Sequence, residues 1–313
     1  MSFLIPQPGT LLSHDTADYP EGIVLPVDKP YRWTSADVIR KLKWKAIRHF
    51  GKKNLKVGHA GTLDPLATGV LLVCIGPACK RAQELQDHDK EYIARIRFGA
   101  TTPSYDLEKD VDRRFPYEHI SADAVRIALP AFLGEQEQVA PLFSAKSVDG
   151  VRAYELARKL YKAHQAHPGS SFPAIPGSDR ESRFDAAALE TLQRSRIVIS
   201  ELELLAFYPA GSVGPVPGTV DPGVASSPSS EVSHASARIN VADTSALGLP
   251  EAVIRIACSK GTYIRAFARD LGESLGSGAH LSGLIRSRSG DFCVQDALSL
   301  EQALSLFDSL PGK

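Results

Sequence analysis

The chain has 313 residues, 43% of them hydrophobic, with 36 Lys plus Arg against 36 Asp plus Glu. This suits a folded soluble protein of one large domain or two smaller ones. Zero net charge excludes a global field favouring nucleic acid, so any basic surface has to be local. Cys74, Cys79, Cys258 and Cys293 are dispersed, with no CxxC and no His/Cys cluster at zinc spacing. They predict reduced thiols in a cytoplasmic protein and no metal site. Residues 1–20 lack the basic start and long apolar core of a signal peptide. The longest apolar run, Val70–Ile75, is too short to cross a bilayer.

In chain order, residues 1–20 mix Pro, Gly, Ser, Thr and Asp without a period and read as a flexible arm. Ile23–Val27 reads as a strand that stops at Lys29-Pro30. Thr34 or Ser35 caps a predicted helix to about Phe50, with Val38, Ile39, Leu42, Ala46 and Phe50 on one face. The opposite face carries Arg40, Lys41, Lys45 and Arg48, with Trp44 among them. From Arg40 to Lys56 there are eight Lys or Arg and no acid. That run is either a solvated helix face or a phosphate-binding surface.

Val70–Ile75 reads as a buried strand. Pro77 fits the first turn of a helix carrying Ala78, Ala82 and Leu85. Tyr92–Phe98 alternates as a strand, and Gly99–Asp112 is an acidic loop. Ser121 caps a further helix that Pro130 kinks or ends. Phe143–Val148 suggests a short strand and Val151–Tyr161 a helix. Segments of about 163–183 and 209–235 are rich in Pro, Gly and Ser and predict mobile insertions. Strands are predicted at Arg196–Phe207, Ala252–Cys258 and Leu281–Ser287, with Ala237–Val241 as a partner for the first. Helices follow at Gly261–Leu275 and Leu300–Phe307. Irregular interleaving of strands and helices predicts an α+β mixed sheet rather than a doubly wound parallel one.

The densest chemistry lies in Gly58-His59-Ala60-Gly61-Thr62-Leu63-Asp64-Pro65-Leu66-Ala67-Thr68-Gly69. Pro65 keeps Asp64 out of the helical region, on a turn. There is no GxxxxGK[ST] or GxGxxG phosphate loop and no G-x-S-x-G elbow. His59 and Asp64 are too few ligands for a metal. An ordinary Asx turn remains open, as does a carboxylate acting as nucleophile or base.

These twelve residues resemble the signature of the tRNA pseudouridine synthase B (TruB) family, bacterial type. Four further stretches agree in order: Leu25–Pro30, Asp89-Lys90-Glu91-Tyr92, Ser259-Lys260-Gly261-Thr262-Tyr263-Ile264-Arg265, and Gly278-Ala279-His280 followed by Leu284 and Arg286. The resemblance covers roughly residues 21–300, less the insertions, and leaves 301–313 as a C-terminal tail. It implies a pseudouridine-synthase-like, mainly antiparallel β-sheet flanked by helices, with a mobile RNA-gripping thumb between Pro141 and about Arg196. The chain ends soon after Leu300, which leaves little room for the small C-terminal RNA-binding (PUA) domain of many members.

The implied activity is isomerisation of a uridine of tRNA, at position 55 of the T loop, by a monomer without a cofactor. A tRNA-folding factor, or a synthase acting on another RNA, is the alternative. The resemblance makes Asp64 the nucleophile, attacking uracil C6 or ribose C1′. Tyr92 stacks on the flipped base and assists proton removal from C5; otherwise it is a cross-strand core residue. Arg265 pairs with Asp64 and orients it. His59 contacts or replaces the extruded base, and Tyr263 and Leu284 line the pocket. Lys29 supports the Asp64 loop or contacts RNA. Arg40, Lys41, Lys45 and Arg48 meet RNA phosphates. Pro103 stands where the family more usually has an aspartate, so only Asp106 carries over from that acidic loop.

Overall fold

The computed structural model describes residues 3–141, 147–148, 151–152, 194–212 and 239–308. Its strands are β1 (Ile23–Lys29), β2 (Val57–His59), β3 (Ala67–Ile75), β4 (Lys90–Phe98), β5 (Ala100–Thr101), β6 (Arg113–Arg114), β7 (Gly134–Val139), β8 (Ser147–Val148), β9 (Val151–Arg152), β10 (Arg194–Tyr208), β11 (Glu251–Cys258), β12 (Ala279–Ser289), β13 (Phe292–Cys293) and β14 (Leu298–Ser299). The described helices, numbered here in order, are α1 (Ser35–Phe50), α2 (Ala82–Asp87), α3 (Ala122–Ala128), α4 (Ile264–Ser274) and α5 (Leu300–Ser305).

Ten strands form one sheet in the order β14-β1-β3-β12-β4-β11-β10-β7, with β2 on β3 and β13 on β12. Among the described strands only β1/β14 and β3/β12 pair in parallel. The class is therefore the expected α+β, mixed and mostly antiparallel. β3 is buried along its whole length, and its alternation feeds two cores. Leu71, Val73 and Ile75 join Val38, Leu42 and Ala46 of α1 in the main cluster. Val70, Leu72 and Cys74 pack with Val24, Ala78 and Leu85 on the other face. A continuous apolar run in the sequence is what a strand covered on both faces requires.

Thr34 is the cap of α1. Its hydroxyl accepts from the Asp37 amide at 3.0 Å, and Asp37 accepts from the Thr34 amide at 3.3 Å. α4 starts at Ile264, three residues later than the pattern predicts, because Gly261 turns left-handed at φ +79°. At Gly69, φ is +96° and a β-carbon would lie 2.3 Å from the Arg286 carbonyl oxygen. Only glycine permits β3 and β12 to approach there.

The structure corrects several expectations. Of the expected arm at 1–20, residues 3–20 are not loose: Leu4 bridges to Ile23, Leu12 is buried, and His14 packs against His49 at 4.3 Å between ring centres. The segment lacks a period because its few apolar residues dock singly. Residues 301–308 are likewise no tail, since Ala303, Leu306 and Phe307 are buried in the main core. Residues 239–241 form no strand, because β11 and β7 occupy the two edges of β10. Val151 and Arg152 pair with Val148 and Ser147 instead of opening a helix. Residues 153–161, the insertion at 163–183 and most of that at 209–235 lie outside the described residues, as does the middle of the expected thumb.

Candidate active site

Asp64 opens a turn closed by the Ala67 amide on the Asp64 carbonyl at 3.1 Å, with Pro65 at its second position. Three buried side chains hold this loop from beneath. Lys29 donates from Nζ to the carbonyls of Trp33 at 2.6 Å, Pro30 at 3.0 Å and Pro65 at 3.2 Å. Ser35 brackets Leu63, donating to its carbonyl at 3.1 Å and accepting from its amide at 2.9 Å. Arg286 donates from Nε to Val70 at 2.7 Å, from Nη2 to Gly61 at 3.2 Å and from Nη1 to Thr62 at 3.4 Å. The loop carbonyls thus gain donors that the loop itself cannot supply.

Arg265, on the first turn of α4, meets the Asp64 carboxylate side-on. Nε donates to Oδ2 at 2.9 Å and Nη2 to Oδ1 at 3.1 Å, while Nη1 donates to the Ser104 carbonyl at 3.1 Å. The Asp64 side chain is 36% exposed and that of Arg265 only 5%, so the carboxylate faces the opening and the guanidinium lies behind it. Burial opposes the Arg265 charge, but Asp64 and then Asp106 outweigh it and hold the guanidinium above its ordinary pKa. Asp106 Oδ2 lies 3.8 Å from Nε. Asp106 accepts from the Ser104 hydroxyl at 2.6 Å and the Glu108 amide at 2.9 Å. Burial raises its pKa, and Arg265 opposes the rise.

The Asp64 carboxylate lies in a cleft of about 400 Å³, whose lining includes Lys90, Tyr92, Tyr263, Arg265, Leu284 and Arg286. β4 and β12 place Tyr92 opposite Arg286 and Leu284 opposite Ala94, so alternation puts these side chains on one face. Burial raises the Tyr92 pKa, while Arg286, which hydrogen-bonds the phenol, lowers it. Lys90 is buried, its ammonium held by the carbonyls of Gln86 and His88. Burial, followed by Arg286, pushes its pKa down to about 8.

The structure therefore gathers Asp64, Tyr92, Arg265, Tyr263 and Leu284 in one cleft. His59 stands outside its lining, half-buried on β2 with Nδ1 unpartnered among the described residues. Burial and then Arg286 lower its pKa. Lys29 is fully buried, which removes the alternative of direct RNA contact and leaves loop support; burial pushes its pKa down to about 7. Arg40, Lys41, Lys45 and Arg48 do not line the cleft. Arg40 pairs with Asp37, Lys45 with Asp308, Lys41 lies over Trp33, and Arg48 stacks on Trp44 at 4.7 Å. Sequence reasoning gave no role to Lys90 or Arg286. The signal for Arg286 was its spacing of two from Leu284 on a strand, which puts both on the Tyr92 face.

Residues 48–167 match the TruB family pseudouridylate synthase N-terminal domain. A tRNA pseudouridine synthase B of Phocaeicola vulgatus is 44% identical over 91% of this chain and 92% of its own. The chain belongs to the tRNA pseudouridine synthase B family. The family's Thermus thermophilus member is 38% identical, over 92% of this chain and 77% of its own. A Cbf5 chain from a Cbf5-Nop10-Gar1 complex shares the fold at a TM-score of 0.52 and 21% identity, covering 91% of this chain and 54% of that one. This family member thus spans about half the length of that Cbf5 chain. Among the described residues no helix is long and apolar enough to cross a membrane.

Proposed function

We propose that this protein isomerises uridine to pseudouridine in tRNA, at position 55 of the T loop, acting as a cytoplasmic monomer. The observation that carries this reading is the side-on Arg265–Asp64 pair at the base of an open cleft that Tyr92, Tyr263 and Leu284 line. A base inside an RNA loop is stacked and has to be flipped out to be reached. Tyr92 offers it a stacking surface, and Tyr263 and Leu284 offer apolar walls. Arg265 orients the Asp64 carboxylate and balances its charge, so that one oxygen can attack uracil C6 or ribose C1′. The C1′–N1 bond then breaks, the base rotates, C1′ bonds to C5, and the bond to Asp64 breaks to return the free carboxylate. The C5 proton leaves and N1 gains one, so the product is an isomer of the substrate.

A non-catalytic RNA-binding role needs no carboxylate facing RNA phosphates, and the held position of Asp64 favours chemistry. The test is tritium release from C5-labelled uridine in a tRNA transcript, for wild type and Asp64→Asn. Release by wild type and none by the variant, with tRNA binding retained, is the expected outcome. No release by wild type on any T-arm substrate sinks the reading, and full activity of Asp64→Asn sinks the role of Asp64.

A further inference from the structure

Tyr263 and Arg265 both reach the cleft from the start of α4. Tyr263, the N-cap residue, makes no side-chain capping bond there. The hold comes from another element. Gln138, on β7 and 125 residues away, donates from Nε2 to the Tyr263 carbonyl at 3.1 Å and accepts at Oε1 from the Tyr263 amide at 2.8 Å. A carboxamide carries both a donor and an acceptor at its tip, so it closes on the amide and carbonyl of one residue as a neighbouring strand would. The same Tyr263 carbonyl receives the Phe267 amide at 3.0 Å, the bond that opens the helix. Further along, Arg269 Nη2 donates to the Val139 carbonyl at 3.1 Å. Adjacent residues of β7 thus tie down the first two turns of α4.

Gln138 is only 4% exposed, so its removal leaves a buried amide and carbonyl short of a partner. It is absent from the cleft lining, and its effect passes through what it holds. Tyr263 forms part of the cleft wall, and Arg265, two residues on, sets its fork on Asp64 at 2.9 and 3.1 Å. Such a fork tolerates little displacement, and a shift of about 1 Å in a reacting group can cost about 100-fold in rate.

We propose that Gln138 is a positioning residue for the isomerisation, which fixes the first turn of α4 and so keeps Tyr263 at the cleft wall and Arg265 on Asp64. The inference rests on the RNA-modifying reading above.

Gln138→Leu nearly keeps the volume and removes both bonds. Its single-turnover tritium release should fall about tenfold, with tRNA binding within about twofold of wild type, because chemistry and not uniform binding is lost. Amide exchange of the peptide 259–268 should quicken. Gln138→Glu supplies a readout that a merely structural role would not move. Ionised, the carboxylate has no donor for the Tyr263 carbonyl; protonated, it offers an O–H to that carbonyl and an oxygen to the amide. Burial raises its pKa, so its rate relative to wild type should climb from the Gln138→Leu level at about pH 8.5 towards wild type at about pH 5.5, with the fold verified at each pH by circular dichroism. The flanking charges, Glu137 with Arg194 and Arg269 with Asp270, are common to both proteins and cancel in this ratio. A folded Gln138→Leu with the wild-type rate, a loss that follows only the unfolded fraction, an equal loss of tRNA binding, or a Gln138→Glu ratio flat in pH overturns the proposal. Should Gln138→Leu not fold, the Gln138→Glu ratio decides alone. If wild type releases no tritium, the isomerase reading fails by itself, and the peptide exchange still reads the clamp: no change in either variant overturns it too.

Discussion

Arg265 grips Asp64 across 201 residues of sequence through two nitrogen–oxygen contacts, at 2.9 and 3.1 Å. The geometry is that of a planar fork on a planar carboxylate, which an ammonium cannot reproduce. Arg265→Lys keeps the charge and loses the second contact and the bond to Ser104. Its kcat for tritium release should fall about 100-fold, equivalent to ~2.7 kcal/mol of transition-state stabilisation, with a much smaller change in tRNA binding. Single-turnover kinetics with a parallel binding assay checks this, and equal losses in both would make Arg265 a binding residue instead.

Arg286 extends the same logic beneath the loop. Arg286→Met removes a donor from the carbonyls of Val70, Gly61 and Thr62 and a partner of Tyr92. It should lower stability by about 2–4 kcal/mol, seen as a reduced urea midpoint at unchanged slope. Activity should fall even well below the melting temperature, because the Asp64 loop loses its support.

Glu251 anchors the opposite face of the sheet. It accepts from Arg95 Nε at 2.7 Å, Arg97 Nη2 at 2.9 Å and the Ser282 hydroxyl at 2.6 Å, all buried between β4, β11 and β12. Glu251→Ala removes the carboxylate that balances two buried guanidinium groups and should cost about 3–5 kcal/mol. Arg97→Met should cost less, since Arg95 still balances Glu251. Chemical denaturation of both variants checks the order.

His280 predicts an acid limb. Burial, against the opposing bond to the Ala100 carbonyl, pushes its pKa down from 6.5 to about 4. The folded state therefore keeps it neutral while the unfolded chain takes up a proton. Stability is fully present above about pH 6.5 and is lost as pH falls towards 4, because the unfolded state binds more protons there. In His280→Gln the wild-type-minus-variant difference should shrink across that window. A difference flat between pH 7 and 4 would mean that His280 does not contribute this limb.

The sequence by itself determined much of the local structure and singled out Asp64 as the candidate reacting group. A continuous apolar run marked β3, periodicity marked β4 and α1, and Pro65 with its flanking glycines set Asp64 on a turn, because such preferences act within a few residues. The resemblance then pointed to Tyr92 and Arg265. What it left open were matters of burial and register. Lys29 reads either as a support of the Asp64 loop or as a cation meeting RNA, and it turns inward to the loop once β1 is enclosed between β3 and β14. Arg286 reads as an unremarkable arginine until the parallel β3/β12 pairing carries it under Gly61 and Thr62. Residues 3–20 look loose because their apolar side chains follow no period. Only the tertiary structure brought Arg265 to Asp64, because strand order and helix docking, not chain neighbours, set distances between remote residues.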